Sequence, residues 1–213
     1  MNYLKTLGLV ALLSVTVVAA PPAVNKAAKD STALVTSKLS GNRVGRGSAA
    51  YFGNGLFITN YHVIDGATLI NITVPGTDFY VAVAIVAIDK DADIAVLKTN
   101  KKITLLKPVR FAIRETFVDR VWAAGYGSSM HDNIPGHFLR VYGGGKVDWM
   151  KAEPDTYRFA GKEGCSIGGD SGGPAFTEKG TYIGPIWGTD RKYTYAVSNE
   201  AVRNIMIPFF LKK

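Results

Sequence analysis

Short runs of β-branched and aromatic residues recur along most of this 213-residue chain, with glycines between them. Such runs are typical of β-strands, whereas a helix would space its apolar residues three and four apart. The runs cover residues 69–74, 79–88, 120–124, 138–142, 182–186 and 192–197. Helical spacing is found only over residues 198–210, with Ser198 or Asn199 as the candidate N-cap. The pattern predicts an all-β fold that ends in one helix.

A glycine-rich hexapeptide, GDSGGP at residues 169–174, places Ser171 in a tight turn. The backbone amides of such a turn can surround a developing negative charge on a reacting oxygen. A serine hydroxyl is a weak nucleophile at neutral pH, so it needs a general base and an acid that orients the base. Ser171 is therefore a candidate nucleophile only if those two groups occur elsewhere in the chain.

Both groups are found upstream of Ser171. The run LFITNYHVI at residues 56–64 places His62 directly after an apolar strand, and DADIAVL at residues 91–97 places carboxylates at the head of another strand. Asp89, Asp91 and Asp93 alternate, so an extended segment would point all three to one side, and spacing leaves the choice among them open. The order histidine, aspartate, serine excludes the subtilisin and α/β-hydrolase arrangements.

These three motifs resemble those of the chymotrypsin-like (trypsin-fold) serine proteases, above all bacterial peptidases of the HtrA and glutamyl-endopeptidase type. The resemblance extends from about residue 45 to about residue 204 and implies two six-stranded antiparallel β-barrels with the site in the cleft between them. It selects Asp93 as the acid, because Asp93 directly precedes the IAVL strand. In the family's roles, Ser171 attacks a carbonyl carbon, His62 transfers the proton and Asp93 orients His62, while the N–H groups of Gly169 and Ser171 form the oxyanion hole.

The resemblance implies a serine endopeptidase that acts on polypeptides through an acyl-enzyme intermediate. The alternative is a protease-fold binding protein, or a partner-activated one, whose oxyanion hole is not assembled. In the family's activation step, the acid beside the nucleophile pairs with a freed N-terminus, and nothing near the start of this chain resembles that partner. We therefore expect Asp170 to find a different hydrogen-bond donor; if it were buried without one, the site would be inactive until a partner arrived.

The resemblance also places a substrate pocket. Its floor would lie at Cys165, six positions before the nucleophile, with Ser166 beside it; its wall would be Ile186, Trp187 and Gly188. A neutral floor offers no fixed charge to a basic side chain, and Gly188 keeps the entrance open, which favours medium or large apolar residues. If the side chain of Asp190 turned into the pocket, its negative charge would allow a basic substrate residue to bind there.

Chain organisation is predicted from the same patterns. Residues 1–23 are a signal peptide or a membrane anchor, because Lys5 precedes an apolar run over residues 7–20 with candidate cleavage sites at Ala20 and Ala23. Residues 24–44 are expected to form a polar tether, residues 45–104 the first barrel, and residues 105–213 the second barrel and the helix. This organisation predicts an exported protein, or alternatively one held at the membrane through residues 4–20.

Composition limits the remaining possibilities. Cys165 is the only cysteine, which excludes an intramolecular disulfide. His131 and His137 lie in a loop-like stretch without a matching set of ligands, so we expect neither a metal nor another cofactor. The formal net charge is +8, yet the basic residues are scattered along the sequence and no base-stacking motif accompanies them. Specific nucleic-acid binding is therefore not expected.

Overall fold

The computed structural model describes residues 19–111, 120–127, 138–150, 156–159 and 164–211. The helices in these ranges are α1 (Pro22–Ser31), the short α2 (Tyr61–Ile64) and α3 (Asn199–Phe210), and a 3-10 turn covers Ser40–Asn42. The strands are β1 (Thr32–Leu39), β2 (Val44–Gly53), β3 (Leu56–Thr59), β4 (Ala67–Thr73), β5 (Tyr80–Asp89), β6 (Ile94–Lys98), β7 (Arg110–Phe111), β8 (Arg120–Gly125), β9 (Arg140–Met150), β10 (Thr156–Phe159), β11 (Pro174–Thr177), β12 (Thr181–Thr189) and β13 (Thr194–Val197).

The first six strands form a closed antiparallel barrel in the order β1-β2-β3-β6-β5-β4. Pairing of β1 with both β2 and β4 closes the sheet, so no strand edge is left open. Successive residues of a strand point to opposite faces. Tyr51 and Phe57 face the barrel interior, with ring centroids 5.0 Å apart, whereas Phe52 and Ile58 face the second barrel. Because both faces of β3 and of most of β2 are covered, residues 47–53 and 56–59 are buried throughout.

The second half of the chain forms a sheet in the order β11-β8-β9-β10-β13-β12, and an additional pairing between β11 and β12 closes it into a barrel. The short β7 adds to this barrel in parallel with β12. The prediction of an all-β fold with two six-stranded antiparallel barrels and a C-terminal helix is confirmed.

A cluster of buried apolar side chains joins the two barrels. Phe52 of β2 meets Tyr182 of β12 edge to face, with ring centroids 5.1 Å apart. The cluster also includes Val24 of α1 and Met206 of α3, each with no exposed surface. Full burial of one such side chain contributes roughly 1.5–3 kcal/mol. The helices at both chain ends therefore help to hold the barrels together.

The N-terminal part of the described chain differs from the expected polar tether over residues 24–44. It contains α1 and β1, and β1 is a full member of the first barrel. The alternation that marks a strand is weak here, because residues 32–35 are buried on both faces. The first barrel ends with β6 at Lys98 and the second sheet begins at Arg110, so the connection between the barrels lies over residues 99–109.

The C-terminal helix α3 begins where the sequence predicts. Ser198 is the N-cap, and its hydroxyl accepts a hydrogen bond from Ala201 N at 3.2 Å. In the part of the chain that the structure describes, no helix has the length and apolar content needed to cross a membrane. Most of the apolar run over residues 7–20 lies outside the described residues.

Candidate active site

His62 and Asp93 form a hydrogen-bonded pair on the first barrel. His62 lies in α2, directly after β3, and its Nδ1 is 2.6 Å from Asp93 Oδ2. The main-chain N–H of His62 also donates to Asp93 Oδ1 at 2.9 Å. The carboxylate thus holds both the ring and the backbone of His62. About half of the histidine side chain is exposed, so its other ring nitrogen is available to a substrate or a nucleophile.

The other two aspartates of the candidate set lie elsewhere. Asp89 Oδ1 accepts a hydrogen bond from Ala92 N at 2.9 Å and so stabilises the turn before β6, while Asp91 is exposed in that turn. Asp93 adopts a left-handed conformation with φ at 52°, which aspartate tolerates better than most residues. The geometry therefore brings Asp93, and not its neighbours, to His62.

Asn60 supports this pair, although sequence reasoning assigned it no role. Its side-chain Nδ2 donates to the carbonyl of Asp93 at 2.9 Å, and Tyr61 N donates to the same oxygen at 3.1 Å. Asn60 has no exposed surface. Its place two residues before His62, in the stretch TNYH, was the available signal.

The backbone amides around Ser171 fall into two sets. Three of them are bonded within the molecule: Asp170 N donates to Ile167 O at 3.0 Å, Gly172 N to Ile186 O at 2.7 Å and Gly173 N to Asp170 O at 2.9 Å. The N–H groups of Gly169 and Ser171 have no acceptor among the residues that the structure describes. These two unbonded donors are the ones that the resemblance assigns to the oxyanion hole.

Residues 169–174, here named the nucleophile turn after the candidate nucleophile Ser171, pack directly on the first barrel. A Cβ on Gly172, which has a φ of +84°, would lie 2.2 Å from both Ser48 O and Thr59 Oγ1, so only glycine fits there. Ser48 N also donates to Ser171 O at 2.7 Å. These contacts hold the turn that contains Ser171 against the end of β3. The last residue of β3, Thr59, lies three residues before His62. No hydrogen bond joins Ser171 Oγ to His62 within the described chain, and such bonds are often long until a substrate binds.

Arg140 is the hydrogen-bond partner that the sequence predicted for Asp170 without identifying it. Asp170 is fully buried, and its Oδ2 lies 3.0 Å from Arg140 Nη1. The N–H groups of Gly127 and Ile167 donate to the same carboxylate at 2.8 and 2.9 Å. Burial raises the pKa of Asp170, while these donors and Arg140 oppose that rise. Arg140 therefore supplies Asp170 with a positive charge from within the chain, without cleavage to free an N-terminus.

The segments assigned to the pocket meet beside the nucleophile turn. Ser166 N donates to Thr194 Oγ1 at 2.9 Å, and Ser166 Oγ donates to Gly188 O at 3.1 Å. Cys165 and Trp187 are partly exposed. Ile186 has another position: its side chain is 1% exposed in the core of the second barrel, and its N–H donates to Gly173 O at 2.8 Å. Ile186 therefore supports the nucleophile turn, whereas Trp187 and Gly188 are placed to form a wall.

Asp190 is engaged in its own turn. Oδ1 accepts hydrogen bonds from Lys192 N at 2.9 Å and Tyr193 N at 2.6 Å, and Oδ2 accepts one from Tyr195 OH at 2.8 Å. The bond from Tyr193 N is the main cause that lowers the pKa of Asp190. A carboxylate with these partners is stabilised where it stands, so it is not available as an inward-facing charge.

Within the described ranges, no group of three or more histidine, cysteine, aspartate or glutamate residues could hold a metal ion. His131 and His137 lie outside the described residues.

The sequence profile of the trypsin-like peptidase domain matches residues 47–184. The chain belongs to the trypsin-like peptidase family. The matched range contains His62, Asp93 and Ser171, so the predicted resemblance is confirmed. A curated relative, the anti-sigma-I factor RsgI9 of Acetivibrio thermocellus, is 28% identical over 182 residues that cover 84% of this chain. The chain spans only 23% of the length of that protein.

Solved structures of proteases share this fold. The active form of the Rv3671c protease of M. tuberculosis matches with a TM-score of 0.71 at 19% identity, covering 97% of this chain and 93% of that chain. A serine endoprotease from Yersinia pestis matches with a TM-score of 0.72 at 18% identity, covering 89% of this chain and 66% of that chain. At these identities the likeness establishes a common fold.

Proposed function

We propose that this protein is a serine endopeptidase that uses Ser171, His62 and Asp93. The observation that carries the proposal is the pair of unbonded N–H groups at Gly169 and Ser171, in a hexapeptide, residues 169–174, whose other N–H groups are all engaged. Gly169 is buried, and a buried N–H without a partner is costly unless water or a ligand accepts from it. A tetrahedral oxyanion is the ligand that such a pair fits.

The chemistry follows from the positions of the groups. Ser171 Oγ attacks the carbonyl carbon of the scissile peptide, and its proton passes to Nε2 of His62. The negative oxygen that forms accepts hydrogen bonds from Gly169 N and Ser171 N. Collapse of this intermediate breaks the C–N bond, and His62 gives its proton to the leaving amine. Water then attacks the acyl-enzyme with His62 as the base, which regenerates Ser171.

Asp93 and Arg140 prepare the site before substrate arrives. Asp93 accepts the hydrogen of His62 Nδ1, so Nε2 is left unprotonated and able to take a proton. Arg140 neutralises the buried Asp170 next to the nucleophile. This arrangement supports an enzyme that needs no freed N-terminus for activity.

Substrate preference is proposed from the pocket. A Cβ on Gly188 would meet no atom within 4 Å, so the wall leaves room beside it. Cys165 brings no formal charge to the floor, and Asp190 is held in its own turn by three hydrogen bonds. These features favour a medium or large apolar residue before the scissile bond.

Export through the N-terminal segment is part of the proposal. Pro21 O accepts hydrogen bonds from Val24 N at 2.9 Å and Asn25 N at 3.0 Å, so a cut after Ala20 leaves α1 intact, whereas a cut after Ala23 shortens it. The exported form should therefore begin at Pro21, or at Val24 if the proline that follows Ala20 blocks the first cut. N-terminal sequencing of the mature protein tests this, and an uncleaved chain in the membrane fraction would support the anchored alternative.

The test of the proposed function is labelling of the full-length protein with a fluorophosphonate probe, which reacts with activated serines. We expect one modified peptide, containing Ser171, and no labelling of Ser171→Ala. Ser40→Ala, which changes an exposed serine in the 3-10 turn, is the matched control and should label like the natural protein. A folded natural protein that does not label would contradict the proposal and favour a binding or partner-activated protein.

A further inference from the structure

A buried serine of the first barrel contacts the nucleophile turn of the second. Ser48, in β2, has no exposed surface. Its hydroxyl donates to Gly169 O at 2.9 Å and accepts from Tyr126 N at 2.9 Å. Its own N–H donates to Ser171 O at 2.7 Å. One residue of the first barrel thus holds two residues whose N–H groups we assign to the oxyanion hole.

The direction of these bonds is determined by their partners. Tyr126 N can only donate, and Gly169 O can only accept, so the hydroxyl proton of Ser48 must point to Gly169. No water or rotation is needed to satisfy either partner. Alanine at this position would remove the hydrogen bond that the Gly169 carbonyl accepts and the one that Tyr126 N donates. A side chain that both donates and accepts is therefore required.

The contact fixes a peptide plane that would otherwise turn easily. The carbonyl of Gly169 and the N–H of Asp170 belong to one peptide unit. Ser48 holds the oxygen, and Ile167 O holds the N–H at 3.0 Å, so both ends of that unit are restrained. Gly169 has a φ of +95° and follows another glycine, which leaves the backbone many alternatives. The Gly169 N–H belongs to the preceding peptide unit, and with the 169–170 unit fixed its direction can change only by rotation about the two backbone bonds of Gly169.

The same serine is tied to the strand that leads to the histidine. Thr59 Oγ1 donates to Ser48 O at 2.7 Å, and Thr59 lies three residues before His62. A continuous hydrogen-bonded chain therefore runs from the end of β3 through Ser48 to the nucleophile turn. It relates the position of the general base to the position of the oxyanion donors.

We propose that Ser48 is a positioning residue that orients the Gly169 N–H toward the oxyanion by holding the Gly169 carbonyl. The proposal rests on the proposed peptidase function and adds a residue from outside the catalytic groups. Ser48 does not contact the reacting atoms. It acts through Gly169, and so it should influence the transition state more than substrate binding.

The experiment compares Ser48→Ala with Ser31→Ala in the full-length protein. Ser31 is also buried and donates one hydroxyl hydrogen bond, to Ala27 O at 2.7 Å in α1, away from the nucleophile turn. A peptide substrate with a large apolar residue before the cut gives kcat and KM separately. Hydrogen exchange of the Asp170 amide, read by mass spectrometry of peptides that cover residues 164–173, reports the turn without any need for activity.

We expect Ser48→Ala to lower kcat by about tenfold to a hundredfold, less than or equal to the effect of removing an oxyanion donor, with little change in KM. The Asp170 amide should exchange faster in this variant, and Ser31→Ala should change neither quantity. The proposal would be overturned if Ser48→Ala had the same kcat as the natural protein, or if its Asp170 amide exchanged at the natural rate. If the natural protein neither labels nor cleaves peptides, the proposed peptidase function is wrong. Faster exchange of the Asp170 amide in Ser48→Ala would then still show that Ser48 holds the nucleophile turn.

Discussion

Removing the guanidinium of Arg140 should lower the free energy of unfolding by about 3 kcal/mol at neutral pH. The change Arg140→Met leaves the Asp170 carboxylate without its cation in a place with no exposed surface. Breaking a buried ion pair typically costs about 3–5 kcal/mol, because a buried charge remains uncompensated. We take the lower end because 27% of the Arg140 side chain is exposed and water can reach its place.

The loss of unfolding free energy in Arg140→Met should be larger at neutral pH than in acid. Burial already raises the pKa of Asp170 in the folded protein, and removal of Arg140 should raise it further. A carboxyl whose pKa is higher in the folded state binds its proton more tightly there than in the unfolded chain. The folded variant is therefore favoured below the pKa of the unfolded carboxyl, and stability is lost as the pH rises through the raised pKa. The deficit of Arg140→Met should be small in acid and full at neutral pH.

Urea unfolding at about pH 4 and about pH 7 measures both parts of this prediction. Arg158→Met is the matched control, because Arg158 has a similar exposed fraction, 29%, but pairs with Asp148, which is 61% exposed. Its loss should be smaller and should vary little with pH. A deficit of Arg140→Met that equals the control, or that is the same at both pH values, would refute the reasoning.

A double variant separates the charge from the packing. Arg140→Met combined with Asp170→Asn removes both charges, so the change in stability between about pH 4 and about pH 7 that Asp170 causes in Arg140→Met should disappear. Stability should recover only in part, because one amide oxygen can replace only one of the two carboxylate oxygens that accept from Gly127 N and Ile167 N. Fluorophosphonate labelling of Ser171 should be slower in Arg140→Met, since the turn beside the nucleophile loses its support.

Two further predictions concern the base and the pocket. Asp93→Asn should lower kcat by about 10⁴-fold, because an amide can favour the wrong tautomer of His62, and Asp91→Asn should leave kcat unchanged; the reverse result would contradict the choice of acid. Gly188→Val should fold normally, because a Cβ there meets no atom within 4 Å, and should reduce kcat/KM for large side chains relative to small ones by about tenfold or more. An unchanged preference, measured with a set of peptide substrates, would show that Gly188 does not line the pocket.

The sequence predicted the barrel strands and the candidate catalytic groups for a common physical reason. Strands with apolar residues at every position and turns rich in glycine are local patterns, and His62, Asp93 and Ser171 each lie at the end of such a pattern. Ser198 was identified as an N-cap candidate by the same kind of local evidence, and its hydroxyl accepts from Ala201 N. Local patterns were enough for the strands and the N-cap, whereas the choice of Asp93 over Asp89 and Asp91 came from the family resemblance.

Arg140 and Ser48 could not be found in this way, because their roles depend on long-range contacts. Arg140 lies 30 residues from Asp170 along the chain, and Ser48 lies 121 residues from Gly169. Neither stands in a motif that indicates its partner. The prediction of a tether over residues 24–44 was wrong for a related reason: β1 is buried over residues 32–35 and closes the barrel by pairing with β4, a strand that is distant in sequence.

The candidate site depends on how the barrels dock, more than on either barrel alone. The His62–Asp93 pair is built entirely on the first barrel, and the unbonded N–H groups of Gly169 and Ser171 are built on the second. What relates them is the contact of Ser48 with the nucleophile turn, behind which Phe52 and Tyr182 pack across the interface. A larger side chain at the turn, or a cavity in that interface, would move the nucleophile relative to its base while leaving both barrels folded. Loss of activity without loss of fold is therefore the expected consequence of damage at this interface.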